Sequence, residues 1–337
     1  MTVHVTGLGT YLPEPTMTAE EIADRSGIPE AVVREKMGVR RKHVCPPDAD
    51  HLSEMCVAAA REALDDAGIG ADTLDMVRYH GSEYKDHVVW NAAAAVAEEI
   101  GAAGAGATES YALCAGFPVA LREARALLAA EPATERVLLV AASREEDLVD
   151  YDDGDTSFMF NFGSGATAAV LEADGGDRAL ASVRESASLT DGSFARDVIV
   201  PAGGSARPAS HETVETGAHS LRVPDHESMK ERLAEESLPN FRSVATDALD
   251  RSGYGIGEID FAAITHMKRS FHEYLCSEFG LADDQHRYLD DYGHVQSCDQ
   301  VLALTECRDE RDDGDVVLCL AAGTGYTWAA SVLKWTA

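Results

Sequence analysis

The sequence predicts an α/β fold built from two similar halves. A gapless internal repeat, short unbroken apolar runs and an alternation of helix-like and strand-like segments carry that prediction. ALDDAGIGADTLD (Ala63–Asp75) aligns without gaps with ALDRSGYGIGEID (Ala248–Asp260). Each copy reads as a helix end, a glycine stop at Gly68 or Gly253, a turn and then a hydrophobic strand. RVLLVAAS (Arg136–Ser143) matches DVVLCLAAG (Asp315–Gly323) in character. Such repetition implies duplication and a pseudo-twofold core.

The elements follow in order. Val3–Gly7 reads as a short strand entering a glycine-containing turn. Thr18–Ser26 and Glu30–Lys36 read as helical. His51–Ala67 has helical periodicity, with Ala58, Ala59, Ala63 and Leu64 facing inward. Leu74–His80 is expected to be a strand, Val88–Ile100 an alanine-rich helix and Gly116–Ala130 a further helix. Glu135–Ala142 and Ala166–Leu171 read as buried strands. The halves are expected at 1–175 and 220–337, joined by a connecting excursion over 176–219. Ala181–Asn240, rich in Ser, Gly, Pro and His, reads as irregular, with a helical stretch after Pro224.

Composition narrows the functions. The 337 residues are 45% hydrophobic and carry a formal net charge of −31, from 59 acidic and 28 basic residues. Lysine occurs only at positions 36, 42, 85, 230, 268 and 334. An acidic, lysine-poor surface suits a salt-rich cytoplasm, where screening relieves self-repulsion; an acidic protein of an ordinary cell is the alternative. The surface disfavours nucleic acid and anionic membranes as partners. The opening MTVHVTGLGTYLP reads as neither a charged leader nor an apolar h-region, and no apolar run reaches membrane-spanning length. Seven cysteines without a CxxC pair argue against a disulfide scaffold or structural zinc site, so no metal is expected.

Cys114, in SYALCAGFPVAL, lies between a strand end and a helix start. There a thiolate gains from free backbone N–H groups and the helix dipole. The pattern alone also fits a buried, inert thiol. His266 ends FAAITH and His294 follows Gly293 in DDYGHVQS; either is a candidate to activate the thiol or to steady an oxyanion. Taken singly, each is equally compatible with a structural ring. Gly323, Thr324 and Gly325, in LAAGTGYTWAA, follow the last long apolar run; a backbone N–H there is a candidate to complete an oxyanion hole with that of Cys114, although turn geometry alone also accounts for them.

Jointly these residues resemble the ketoacyl-acyl-carrier-protein synthase III family of the thiolase superfamily. GLGTYLPE, MGVRRKH, LCAGF, FNFGSGATAAVL, DGS, PAGGS, ITH and AAGTGYTWAA occur in the family's order over nearly the whole chain. The resemblance implies a duplicated five-layer α/β/α/β/α thiolase fold and a homodimer. It implies Cys114 as acylated nucleophile, His266 as first catalytic histidine and Gly325 as oxyanion-hole partner. It implies decarboxylative Claisen condensation of an acyl-CoA with a malonyl thioester, on CoA or on acyl carrier protein, in the cytoplasm and without a cofactor, acyl-CoA being a substrate.

The departures are specific. His294 stands where initiating members carry Asn, giving the Cys-His-His set of chain-elongating relatives. Met267, Lys268 and Arg269 replace the usual Gln-Ala-Asn; the two basic residues either meet coenzyme A phosphates or face acidic neighbours. Val32 stands near the position of an adenine-stacking Trp, and Lys36 where a phosphate-region Arg is common. HGSEYKDHVVW is also similar to a segment of 3-hydroxy-3-methylglutaryl-CoA synthases. That resemblance implies Glu83 as a general base in condensing acetyl-CoA with acetoacetyl-CoA; a solvated or interfacial carboxylate is the alternative. A non-catalytic scaffold subunit is a third reading.

The charge skew gives a first test. Denaturation midpoints measured in a KCl series should rise from dilute buffer to molar salt. A flat series removes the halophilic reading.

Overall fold

The computed structural model describes residues 2–336. The first half runs β1 (Val3–Tyr11), β2 (Thr16–Thr18), α1 (Ala19–Ser26), α2 (Glu30–Val32), β3 (Arg41–His43), α3 (Leu52–Ala67), β4 (Met76–Tyr79), α4 (Ala92–Ile100), β5 (Gly106–Glu109), α5 (Gly116–Ala130), β6 (Arg136–Ser143) and β7 (Gly165–Glu172). The second runs β8 (Ala181–Thr190), α6 (His211–Glu215), α7 (His226–Ser252), β9 (Phe261–Ile264), α8 (Arg269–Phe279), α9 (Asp299–Glu306), β10 (Val316–Gly323) and β11 (Thr327–Trp335).

Nine strands form one continuous sheet in the order β5-β4-β6-β7-β1-β8-β11-β10-β9. Its symmetry exposes the duplication. Outward from the centre the first half reads β1, β7, β6, β4, β5 and the second reads β8, β11, β10, β9. Beyond β9, His286 bridges Ala262 in parallel, where the first half has β5. The halves meet where β1 pairs antiparallel with β8, Val3 opposite Val183 and Val5 opposite Ala181.

Period-two side-chain alternation builds the layers. Val137, Leu139 and Ala141 of β6, with Val317 and Cys319 of β10, face a shared core holding Phe117 and Leu121 of α5 and Val301 and Leu302 of α9. Leu138, Val140 and Ala142 face α3 and α4. Leu318 and Leu320 face α7 and α8. The result is the expected duplicated five-layer α/β/α/β/α thiolase fold.

The repeat read from sequence is structural. Gly68 and Gly253 end α3 and α7 in the left-handed region, at φ 66° and 85°, and each chain then turns into a strand. Three expectations need correction. The segment 176–219 is not simply a connection, because it contains β8, so the second half begins at Ala181 rather than at 220. Ser182 and Ser186, which made β8 look irregular, are buried, and Ser186 Oγ lies 2.7 Å from Ser331 Oγ on β11. Residues 88–91 are loop; α4 starts only after Asn91, whose side chain accepts from Ala94 N at 3.0 Å. Glu30–Lys36 is a single helical turn followed by a wider π-type turn at Val33–Met37.

β1 is longer than expected and runs through Gly7 and Gly9. A Cβ at Gly9 would sit 2.2 Å from the Ala59 carbonyl oxygen of α3. Gly9→Ala must therefore push α3 off the sheet, and should cost about 3 kcal/mol as a lower urea midpoint. An unchanged midpoint contradicts this packing.

Candidate active site

Leu113–Ala115 forms a 3-10 turn that leads directly into α5, and Gln296–Cys298 forms the matching turn into α9. The first residue of each turn is forced into the left-handed region, Leu113 at φ 48° and Gln296 at φ 54°. Neither is glycine, so both turns hold strain, which large side chains tolerate only where packing over-determines them. The duplication sets the two turns against each other in the middle layer. Cys114 rides on one; Gln296 belongs to the other, and His294 shortly precedes it.

Cys114 is buried. His294 Nε2 lies 3.1 Å from its Sγ, and His294 Nδ1 lies 2.6 Å from Asp299 Oδ2. Asp299 is fully buried. It also accepts from the backbone N–H of His266 at 2.7 Å and of Val295 at 2.7 Å. Cys114, His294 and Asp299 thus form a continuous hydrogen-bonded chain, and the same carboxylate fixes the backbone of the second histidine.

The two histidines are held in opposite states. Burial alone would push His294 down, but Asp299 and Cys114, by charge and hydrogen bonding, carry it well above the ordinary histidine value. Burial pushes His266 well below that value, and the nearby His294 adds to the shift. His294 is therefore suited to take and hold a proton. His266 stays neutral, and neither of its ring nitrogens has a partner among the described residues. Such a ring is free to donate to a substrate oxygen.

Gln296 Oε1 lies 2.7 Å from Cys114 Sγ, while its Nε2 is buried without a partner. Exchanging the amide oxygen and nitrogen would aim that N–H at the sulfur, the orientation an ionised thiol requires.

His294 is held from behind. Its N–H donates to the Asn161 carbonyl at 2.8 Å, and its carbonyl accepts from Gly163 N–H at 2.9 Å. A Cβ at Gly293 would lie 2.4 Å from the Asn161 oxygen. Lys42, wholly buried, donates to the Phe162 carbonyl at 2.7 Å and so secures this segment; burial lowers its amine to about 7.

The remaining candidates are distributed differently. Gly325 turns the β10–β11 hairpin at φ 102°. The closest approach to the nucleophile turn is instead made by Gly323, where a Cβ would meet Cys114 N at 3.1 Å and the Ala112 oxygen at 2.1 Å. Glu83 is exposed in the loop after β4, and its carboxylate makes no hydrogen bond to Cys114, His266 or His294. Lys36 and Lys268 are exposed near the packed contact of α8 with the Val33–Met37 turn. Arg269 is occupied: it pairs with Asp290 at 3.0 Å and stacks 4.2 Å over the Tyr288 ring. Sequence reasoning missed Asp299 and Gln296. An acidic residue in the first turn of a helix is ordinary dipole compensation, which hides its second role.

Residues 109–192 match the family model described as 3-Oxoacyl-[acyl-carrier-protein (ACP)] synthase III, and residues 249–335 match the one described as its C terminal. The two matches cover both halves of the site and together just over half of the chain. The chain belongs to the 3-oxoacyl-[acyl-carrier-protein] synthase III family. A beta-ketoacyl-[acyl-carrier-protein] synthase III of Caldanaerobacter subterraneus subsp. tengcongensis is 28% identical over 336 residues, 98% of this chain and 97% of the relative. Two solved structures share the fold. A 3-oxoacyl-(acyl carrier protein) synthase III of Pseudomonas aeruginosa has a TM-score of 0.84 at 23% identity, covering 100% of this chain and 99% of its own. The priming beta-ketosynthase of the R1128 polyketide pathway has a TM-score of 0.84 at 24% identity, covering 99% and 96%.

Asp299 sets the orientation and charge of His294, so its loss should be felt at the thiol. Asp299→Asn should slow alkylation of Cys114 by iodoacetamide at pH 7 by ~10²-fold or more, the scale seen when a triad carboxylate is neutralised. Mass spectrometry of the labelled peptide identifies the site. An unchanged rate removes Asp299 from thiol activation.

Proposed function

We propose that this chain makes a β-ketoacyl thioester by decarboxylative Claisen condensation of an acyl-CoA with a malonyl thioester. The observation that carries the proposal is the Cys114–His294–Asp299 chain with a neutral, unpartnered His266 tied to the same carboxylate.

The steps follow from the geometry. His294 Nε2 takes the proton of Cys114, and the sulfur attacks the acyl-CoA carbonyl. Backbone N–H groups at Cys114 and in the Gly323–Gly325 hairpin are the candidates to hold the tetrahedral oxyanion. The C–S bond to coenzyme A breaks, and the departing thiolate takes a proton from solvent. His294 keeps its proton because Asp299 favours the charged ring. A malonyl thioester then binds, with its thioester oxygen toward His266 and His294. Loss of carbon dioxide leaves an enolate, and the two rings stabilise its oxygen by donating N–H bonds. The enolate carbon attacks the acyl–Cys114 carbonyl. Collapse releases the β-ketoacyl thioester and regenerates the thiolate–imidazolium pair. The reaction calls for no resident cofactor, since acyl-CoA enters as substrate.

Lys36 and Lys268 are the exposed cations suited to coenzyme A phosphates, whereas Arg269 is engaged by Asp290. A homodimer is proposed on two supports: Val88 and Val89 are 86% and 100% exposed, and β5 is an unpaired sheet edge. A cytoplasmic, salt-adapted setting is proposed from the charge; among the described residues no helix is long and apolar enough to cross a membrane. Acyl carrier protein is kept as a candidate carrier on the strength of the relatives' names. The hydroxymethylglutaryl reading needs a base at the acyl methyl, and an exposed Glu83 gives it no support. A scaffold role has no use for an assembled Cys114–His294–Asp299 chain.

Intact-mass spectrometry after incubation with a panel of acyl-CoAs, then malonyl-CoA or acetoacetyl-CoA, tests the reading. Wild-type protein should gain one acyl mass and lose it on adding malonyl-CoA. Cys114→Ser should gain none, and Glu83→Gln should behave as wild type. Turnover of acetyl-CoA with acetoacetyl-CoA in the absence of malonyl activity overturns it.

A further inference from the structure

Beside Tyr288, which also packs on His266, three metal-ligating side chains converge that the proposed reaction does not use. We propose that His272, Cys276 and His286 bind a single zinc ion. His272 and Cys276 stand one turn apart on the same face of α8. His286 comes from the segment that bridges β9 in parallel at Ala262. One ligand atom from each residue lies within 4.8 Å of the others. Around a tetrahedral zinc, with bonds of about 2.0–2.3 Å, ligand atoms sit roughly 3.3–3.8 Å apart. Small side-chain rotations bring the three into that range.

The chemistry of the donors agrees. His272 Nε2 faces His286 Nδ1 at 3.1 Å, while His272 Nδ1 is buried without a partner among the described residues. His272 is 1% exposed and Cys276 3% exposed. Two imidazoles face each other, and among the described residues no carboxylate is hydrogen-bonded between them. A neutral imidazole keeps one ring-nitrogen lone pair for a cation. Binding must expel the Cys276 thiol proton to solvent, its place taken by the metal–sulfur bond.

Two nitrogens and a sulfur suit zinc and disfavour calcium or magnesium, which require oxygen ligands. A cavity of about 370 Å³ opens beside the cluster, with Glu273 and Asp283 in its wall. It leaves room for a carboxylate or a water as fourth ligand. The site differs from the expectation of no metal because no CxxC spacing announces it. Its role is a clamp. It ties α8 to the 280–288 segment, and His272 packs edge-on against Tyr288 at 4.9 Å, while Tyr288 packs on His266 at 4.7 Å.

The test uses the full-length protein after treatment with a chelator, and no activity assay. Zinc titrated against a chromophoric competitor should bind at one equivalent, tighter than about 1 µM. Cobalt substituted at the site should show a sulfur-to-metal charge-transfer band. Cys276→Ala should abolish the band, and His286→Ala should weaken zinc binding by ~10²-fold or more, beyond the loss typical of an outer-shell change. Cys114→Ala should leave both readouts as in wild type. Absence of a tight equivalent in wild type overturns the proposal. So does a cobalt band that survives Cys276→Ala, or zinc affinity unchanged in His286→Ala with circular dichroism showing the variant folded.

Discussion

Three hydrogen bonds converge on the buried carboxylate of Asp299, and the site is arranged around them. A buried carboxylate is costly unless donors occupy its lone pairs. Here two backbone N–H groups and one imidazole do so. Satisfying the charge also fixes the backbone of His266 and orients the ring of His294 toward Cys114. The same carboxylate carries His294 toward the charged form, while burial drives His266 toward the neutral one. Pairs of titratable groups driven in opposite directions are the usual arrangement for divided proton work.

The duplication supplies the geometry on which that carboxylate acts. Each half carries a strained 3-10 turn entering a central helix, and the symmetry of the sheet brings the turns face to face. The chemistry is not symmetric: one turn bears the thiol, while the other bears the amide of Gln296 and is preceded by His294. Close packing around the turns makes their strain tolerable. Gly323 meets the nucleophile turn backbone to backbone, and Gly116 admits no side chain because its Cβ would sit 2.4 Å from the His80 oxygen.

Around this centre the surface is strongly acidic, and the few basic residues are mostly committed. Arg144 bonds Asp147, Arg222 bonds Asp150, Arg232 bonds Asp197 and Arg269 bonds Asp290. Such pairs, partly buried here, hold the Arg side chains in place. Their larger effect is on recognition, because an anionic substrate finds few uncommitted cations. In the proposed reaction Lys36 and Lys268 are therefore the cations left to meet coenzyme A phosphates.

Local pattern made much of the fold legible. The aligned helix–glycine–strand units foretold the duplication because a left-handed glycine stop and a period-two apolar run are written in adjacent residues. Cys114 was legible as a residue at a helix start, and His266 as one just past a strand end. β8 was not, because its buried faces carry serines whose partners lie on β11. Glu83 was chosen from a short motif, and only its placement shows it exposed. Asp299 was hidden because an acid at a helix start already has a local explanation. His272, Cys276 and His286 were passed over because their convergence depends on a strand position beyond β9. Spacing along the chain decides helices, strands and turns, since those depend on neighbouring residues. Which distant side chains share a proton or converge on an ion depends on how whole layers pack, and only the tertiary structure decided that.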